Sequence, residues 1–566
     1  MKRGPDSSVQ AMVREALGHH QAGRLEEAEQ LYRKILAIDS RHADALHLLG
    51  MIEYQAGRLD AAAELIREAI AIHSKGASYY ANLGTVLQAQ GKLEDAEALY
   101  RQSLALKPQL VEVHVNLANV LQAQEKLDES VESYERALAL KPDSAETLNN
   151  LGTARQVQGQ MDAAIACYER ALAIKPDYAE VYYNLGNAHR FLGRLDDAIA
   201  YYQRALTIKP AYPEAIYNMG NVLREQGKVD EALVQFARAL ALRPDYAQAG
   251  FGESLAQLVN EEFAAGWKNF EKRWLTADHD TPRRDYAQPL WTGEKLESGS
   301  VLIWGEQGIG DEIMFAGLIP DVIRTGNRCV LDCQERLRPL FARSFPSVEV
   351  VSGCGPGVHP ELEIAAQMPC GSLGGVFRNT GAAFADTTSP YLIADPAERG
   401  RLRAGYADGR RLVGLAWYTN NRKWGSYRSI DLSLLDSWFK RTDIRWISLQ
   451  YGNHDELEKQ AAEANAPILI DRTVDQLADI DLFAAQVAAM DLVITIDNST
   501  AHLAGALGVP VWVLLPFMPD WRWLLDREDC PWYPTMRLFR QPEIGDWQSV
   551  VERIQRALSV DFMGLE

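Results

Sequence analysis

A carboxylate at the end of a glycine-rich turn and a pair of hydroxyls at the start of a small-residue helix are spaced for chemistry on a phosphorylated substrate. The first lies in Gly305-Glu-Gln-Gly308-Ile-Gly310-Asp311-Glu312, directly after the apolar run Val301-Leu-Ile-Trp304. Its glycines permit a tight turn and close backbone approach. A carboxylate so placed can take the proton of a hydroxyl as that hydroxyl attacks an electrophilic carbon. Asp311 is the candidate base and Glu312 the fallback; Asp311 is equally suited to cap the following helix. The second stretch runs from Asp497 to Gly508, Asp-Asn-Ser-Thr-Ala-His-Leu-Ala-Gly-Ala-Leu-Gly, between the apolar runs Leu492–Ile496 and Val509–Leu515. The pattern reads strand, turn, helix, strand. Ligands of open α/β sheets sit at the carboxyl ends of strands, and helix N-terminal N–H groups favour phosphate. Asp497, Ser499 and Thr500 are therefore candidates for holding a phosphate, and His502 either orients that site or packs.

Two further segments could serve the same site. The strand Arg411–Trp417 leads into a basic loop, Tyr418–Ser429, with Arg422, Lys423 and Arg428. Cations there would stabilise the charge of a departing phosphate; a solvated basic loop is the plain alternative. Gln450, closing the strand Arg445–Leu449, is placed to contact a nucleotide base. The turn at Gly305 has other readings. Its spacing is Gly-x-x-Gly-x-Gly rather than the Gly-x-Gly-x-x-Gly of dinucleotide sites, although Asp332 could stand for the ribose-binding acid. Gly308 and Gly310 would line a donor pocket in either case. A phosphate loop of the Walker type lacks its Gly-Lys-Ser/Thr.

Composition narrows the classes. The chain has 566 residues, a formal net charge of −19, 47% hydrophobic and 24% charged residues. That is a globular composition of two to four units, and the acidic balance argues against a general nucleic-acid or anionic-membrane binder. Six cysteines without a regular framework (Cys167, Cys329, Cys333, Cys354, Cys370 and Cys530) read as reduced thiols. There is no apolar leader at Met1–Gln10 and no run near the roughly 18 apolar residues of a membrane span. A cytoplasmic location is expected.

The elements that must position these groups begin with a repeat. Gly23, Gly57, Gly91, Gly159, Gly193 and Gly227 share one register of 34 residues, with Glu125 in the missing place. Ala28, Ala62, Ala96, Ala164, Ala198 and Ala232 follow it, with Ser130 as the odd member, and Pro108, Pro142, Pro176, Pro210 and Pro244 close successive units. Asn82, Asn116, Asn150, Asn184 and Asn218 form a column on the first helix of five repeats. Thr85, Asn119, Thr153, Asn187 and Asn221 lie one turn on. An amide offers a donor and an acceptor to the backbone of an extended peptide, or it bonds to the neighbouring repeat.

This period, with Leu-Gly early and Pro late, resembles the tetratricopeptide repeat. The asparagine column is similar to the ladder of the nucleocytoplasmic O-linked N-acetylglucosamine transferase, which implies a protein acceptor. The Gly-Asp turn, Lys423-Trp424 and Asp497…His502-Leu503 resemble segments of the bacterial heptosyltransferases. That likeness implies a GT-B glycosyltransferase with Asp311 as base. Arg428-Ser429 and the aromatic tail (Asp520-Trp-Arg-Trp523, Trp532-Tyr-Pro534) resemble repeat-fused bacterial glycosyltransferases. Asp479-Ile-Asp481 matches the metal-binding Asp-x-Asp of GT-A enzymes but opens an apolar helix, so capping is the expectation, with no metal and no cofactor besides a nucleotide-sugar substrate.

The fold expected is an all-α tetratricopeptide superhelix followed by an α/β GT-B fold of two Rossmann-like halves. Residues 9–246 would be seven repeats, 247–275 a degenerate capping repeat and 276–299 a linker anchored by Trp291. The acceptor-side half would be 300–396 and the nucleotide-sugar half 410–545, with 546–566 a helix returning toward the first half. The layout resembles that of flagellin glycosyltransferases, implying transfer to Ser or Thr of flagellin from a CMP-activated nonulosonic acid. A transferase acting on lipopolysaccharide or another glycan, and a scaffold with an inactive transferase domain, are the alternatives.

Overall fold

The computed structural model describes residues 5–277, 279, 281–353, 362–419 and 428–560. The chain forms two compact units, Met1–Ala211 and Tyr212–Glu566. The division falls inside the repeat array, not at the 276–299 linker, so the last two helical hairpins fold with the sheets.

The first unit consists of antiparallel helical hairpins, from Pro5–Gln21 with Leu25–Ile38 to Ala179–Phe191 with Leu195–Ile208. Each hairpin turns at the register glycine, whose φ lies between +71° and +79° in five of them. Glu125 takes the same turn at φ +62°, a conformation strained for a side chain with a Cβ. The second glycine has a different cause. A Cβ on Gly152 or Gly186 would come within 2.5 Å of the Tyr168 or Tyr202 ring, so the Leu-Gly pair is the socket for an aromatic of the partner helix. The register alanines are fully buried. Ser130, in the odd place, donates its hydroxyl to Ala118 O at 2.8 Å, which satisfies a polar group in an apolar seam.

The two asparagine columns part company here. The second is tied to the same tyrosines: Tyr202 donates to Asn187 Oδ1 at 2.7 Å, Tyr134 donates to Asn119 Oδ1, and Tyr100 and Tyr168 lie 3.2 and 3.4 Å from the Thr85 and Thr153 hydroxyls. Asn119 and Asn187 thus staple their own hairpins through their amide oxygens. Asn221, in the second unit, is buried, and Phe236 stands where the tyrosine would be. The first column stays half-buried. Asn184 donates to Asn149 of the preceding repeat at 2.9 Å and Asn82 lies 2.7 Å from His47 Nε2. Asn150 makes a long, 3.4 Å contact with its neighbour Asn149.

The second unit opens with the hairpins Pro213–Glu225/Val229–Leu242 and Ala247–Val259/Phe263–Phe270. Two parallel sheets follow. The first has the order β3-β2-β1-β4, with β1 Ser300–Trp304, β2 Arg328–Asp332, β3 Glu349–Val351 and β4 Ile364–Pro369. The second has the order β10-β9-β8-β5-β6-β7, with β5 Arg411–Ala416, β6 Ile444–Ser448, β7 Ile468–Leu469, β8 Leu492–Ile496, β9 Val511–Leu515 and β10 Met536–Arg540. β1, β8 and β9 are buried along their whole length, as expected of parallel strands covered on both faces. No helix among the described residues is long and apolar enough to cross a membrane.

The final helix is Trp547–Val560. Its apolar stripe (Val550, Val551, Ile554, Leu558) is buried with Val413, Trp438 and Trp446, and the Trp438 indole donates to Val551 O at 3.0 Å. Its described part seals the second sheet, and 561–566 lie outside the described residues.

The capping hairpin is welded to the first sheet. The Trp267 indole donates to Arg378 O at 2.8 Å, and its ring lies against Gly374, where a Cβ would come within 2.4 Å of it. Arg273, with no exposed surface, donates to both Glu306 carboxylate oxygens at 2.8 Å. Glu306 directly follows Gly305, so the last element of the array holds the turn that carries Asp311. The 276–299 stretch is pinned too: Trp291 is fully buried, and Thr281 accepts the Gln307 N–H at 2.7 Å.

Candidate active site

Strand order locates the site. In the second sheet β5 leads to β6 and β7 on one side, while β8, β9 and β10 lie on the other. The chain reverses direction between β5 and β8, and ligands of open parallel sheets bind at the carboxyl ends of such a pair. Arg428 follows β5 there, and Asp497 and Ser499 follow β8. The turn after β1 lies opposite. A Cβ on Gly310 would come within 3.1 Å of His502 Cδ2 and 3.6 Å of Ser499 Cα, so the two loops are in direct contact there. Gln307 in the same turn holds φ +63°, a local strain of the kind met where a loop is shaped for a ligand.

Five charged groups alternate across this junction. Asp311 pairs with Arg522. Arg522 donates to Asp520 at 2.6 Å. Asp520 lies 3.7 Å from Arg428, and Arg428 lies 3.0 Å from Asp497. Asp311, Arg522, Asp520 and Arg428 keep 19%, 12%, 22% and 23% of their side-chain surface open, so the chain of charges is reachable from solvent. Burial raises the Asp497 carboxyl above the usual range, with Arg428 opposing it. Burial pulls Asp520 the same way, but Arg522 and Arg428 outweigh it and hold that carboxyl low. Burial disfavours the Arg522 charge, yet Asp311 and Asp520 more than compensate, and it stays firmly protonated.

Polar atoms without partners gather at the same place. Asn498 Nδ2 and Thr500 Oγ1 are buried and complete no hydrogen bond among the described residues, while Asp497 Oδ2 meets the Arg428 guanidinium at 3.0 Å. The Trp523 indole lies beside the Asp497 carboxylate and opposes the effect of burial on it. Buried polar groups are normally satisfied, and these stand beside the charged junction.

The candidates of the sequence reading fall into three groups. Asp311, Arg428, Asp497, Ser499 and Gly310 come together at the junction. Asp311 also accepts the Gly308 N–H at 3.2 Å, so it caps its helix and faces the junction at once. Others are brought near but engaged. Asn498 accepts the N–H groups of Thr500 and Ala501 at 3.0 and 3.3 Å. This helix start therefore offers a phosphate fewer free donors than the sequence suggests, and the Thr500 hydroxyl is interior. Glu312 turns inward and accepts the Gln334 backbone and side-chain N–H groups, both at 3.0 Å; burial raises its pKa. It braces the β1 turn and is not a reserve base. Gln450 is committed on four sides, accepting from Trp417 and Tyr418 N–H and donating to Tyr418 O and Tyr451 O. It has no capacity left to read a base. Asp332 is held by Arg284, and Asp479 caps its helix at Leu482. Lys423 lies outside the described residues.

His502 is buried, 3.0 Å from the Tyr533 hydroxyl and stacked on Trp523 at 5.0 Å. Burial, reinforced by the nearby Arg522, pushes its pKa down to about 3. A depressed pKa contributes stability that is complete above the unfolded value of 6.5 and is lost as pH falls through 6.5 toward 3. Urea titrations at pH 7.5 and pH 5 are expected to show a smaller loss of stability on acidification for His502→Gln than for the wild type. An identical loss in both would mean that the imidazole is not held neutral.

Sequence reasoning missed Asn498, Asp520 and Arg522. Asn-Ser-Thr offers three adjacent capping residues, and only the backbone chooses among them. Asp520-Trp-Arg-Trp523 drew attention for its aromatics while its charges did the positioning.

Stretches within residues 19–250 match descriptions of the tetratricopeptide repeat, at 109–177, 143–211, 19–85, 192–250 and 77–109. The N-terminal region is thus a tetratricopeptide array, a fold that binds proteins or peptides. The chain is 31% identical over 329 residues to Protein FlbA of Caulobacter vibrioides, covering 54% of each, and so spans about half the length of that curated relative. Among solved structures the chain is similar to the MamA protein (28% identity, 30% of this chain and 94% of that one, TM-score 0.28). Another is YrrB, described as a TPR protein with an unusual peptide-binding site (24%, 33% and 96%, TM-score 0.29).

Proposed function

We propose that the chain is a protein O-glycosyltransferase of GT-B type, moving a sugar from a nucleotide donor to a Ser or Thr of a protein held by the repeats. The observation that carries this reading is the junction itself. A solvent-reachable carboxylate on one parallel sheet faces two arginines and unpartnered buried polar atoms at the reversal point of another. In the step, the acceptor hydroxyl oxygen bonds to the anomeric carbon and its proton passes to the Asp311 carboxylate. The bond from that carbon to the phosphate oxygen breaks, and its electron pair leaves with the phosphate. Cations positioned where that charge develops lower the barrier by several kcal/mol. Arg428 and Arg522 supply them.

The acceptor reading rests on the half-buried column Asn82, Asn116, Asn150, Asn184 and Asn218, whose amides suit a peptide backbone of any sequence. Flagellin is the acceptor we propose to test first. The full-length chain would be incubated with a panel of nucleotide sugars, CMP-activated nonulosonic acids included, and with flagellin. Replacing the five asparagines by alanine is expected to abolish protein glycosylation while donor hydrolysis continues. Unchanged glycosylation would sink the ladder as an acceptor site, and transfer to a glycan alone would favour a glycan acceptor.

A further inference from the structure

We infer that Arg522 is a donor-operated latch on the catalytic base: it is held by Asp311 in the empty site and passes to the donor phosphate when a nucleotide sugar binds. The inference deepens the glycosyl-transfer reading and rests on it. Arg522 belongs to the short helical turn Trp521–Trp523 after β9, on the second sheet, whereas Asp311 belongs to the turn after β1, on the first. Their ion pair is the direct polar tie across the junction at the point where the sugar would react. In the empty site both Asp311 oxygens are occupied, one by the Arg522 guanidinium and the other by the Gly308 N–H. The carboxylate is therefore not open to an incoming hydroxyl or water until Arg522 leaves it.

Phosphate is the natural competitor for that guanidinium. Arginine forks bind carboxylate and phosphate in the same bidentate geometry, and the more highly charged phosphate is the stronger partner. Asp520 holds the other Arg522 nitrogen at 2.6 Å and would serve as the pivot about which the guanidinium turns. Arg428 lies on the far side of Asp520 between two acids, so it joins the same anion. The groups facing the latch are then Asp311, Asp520, Asp497, Arg428 and neutral His502, with three negative charges against two positive. Three acids share two guanidiniums in the empty site, so a further anion competes with Asp311 for Arg522. The unpartnered Asn498 amide at the same place is the second sign that a polar ligand completes the arrangement.

The latch makes a prediction of unusual sign. If Asp311 competes with phosphate for Arg522, removing its charge must tighten nucleotide binding while it stops transfer. Calorimetric titration of the full-length protein with CMP, UDP, GDP and ADP would be compared for the wild type, Asp311→Asn and Arg522→Lys, with thermal melts reporting folding. For whichever nucleotide binds, Asp311→Asn is expected to lower Kd by about 2- to 5-fold, the size of one partly exposed ion pair. Arg522→Lys, which keeps the charge and loses the fork, is expected to raise Kd about 10-fold. Nucleotide binding that is unchanged or weaker in a folded Asp311→Asn protein overturns the latch and leaves the glycosyl-transfer reading standing. A wild-type protein that binds none of the four nucleotides overturns both.

Discussion

Asp311→Asn is expected to reduce sugar transfer by about 10²- to 10⁴-fold, the usual contribution of a positioned general base, with little change in melting temperature. The amide keeps the shape of the carboxyl and can still accept the Gly308 N–H, so the helix cap survives. The ion pair with Arg522 is lost, but at 19% and 12% side-chain exposure such a pair is worth only about 1 kcal/mol. Capping and catalysis are thereby separated. A residue that merely capped its helix would give a slightly less stable enzyme turning over at nearly the normal rate. Initial rates of sugar incorporation under saturating donor are the measurement, and a variant retaining more than about a tenth of wild-type turnover would remove Asp311 from the role of base.

The second large effect belongs to a residue remote from the chemistry. Arg273→Ala is expected to destabilise the second unit by about 3–5 kcal/mol, the cost of leaving a buried charge without its partner. Arg273 and Glu306 both have fully buried side chains, and the guanidinium lies 4.6 and 4.5 Å from the Phe270 and Trp274 ring centroids. Burial already raises the Glu306 pKa, with Arg273 the principal opposing influence. Without Arg273 that carboxyl would protonate or draw in water, and its hydrogen bond to Gly371 N–H would weaken. The turn from Gly305 to Asp311 would then lose its anchor. Urea denaturation followed by tryptophan fluorescence tests this, and a loss below about 1 kcal/mol would contradict it. The double substitution Arg273→Met with Glu306→Met is expected to recover part of the loss, because neither charge then remains buried. Transfer activity should fall in the single variant even at temperatures where it stays folded.

This pair ties the end of the array to the first sheet, within the unit that begins at Tyr212. The aromatics Phe263, Trp267, Phe270 and Trp274, read from the sequence as a degenerate repeat, lie on the face of the array that meets the first sheet and its flanking helices. Trp267 packs edge-on against Trp521 at 5.2 Å, so the hairpin that ends the repeats also supports the segment carrying Arg522. A truncated chain beginning at the sheets would expose these surfaces and free both loops of the site.

What the sequence alone determined was whatever repeats or runs locally. The 34-residue period placed the hairpins because each unit buries the same small and aromatic positions against its neighbour. The strands β1, β8 and β9 were visible as apolar runs because parallel strands covered on both faces need no polar alternation. The two loops that matter were visible because a strand followed by glycines or by Ser-Thr before a small-residue helix has few other uses. Tertiary structure decided the rest. Asp311 and Arg522 are 211 residues apart, and nothing in their local sequence says that one restrains the other. Gln450, Glu312, Asn119 and Asn187 had the right chemistry to touch a ligand, but each is occupied within the fold. The type of a polar side chain states which bonds it can make. Only the packing around it decides whether those bonds are already made.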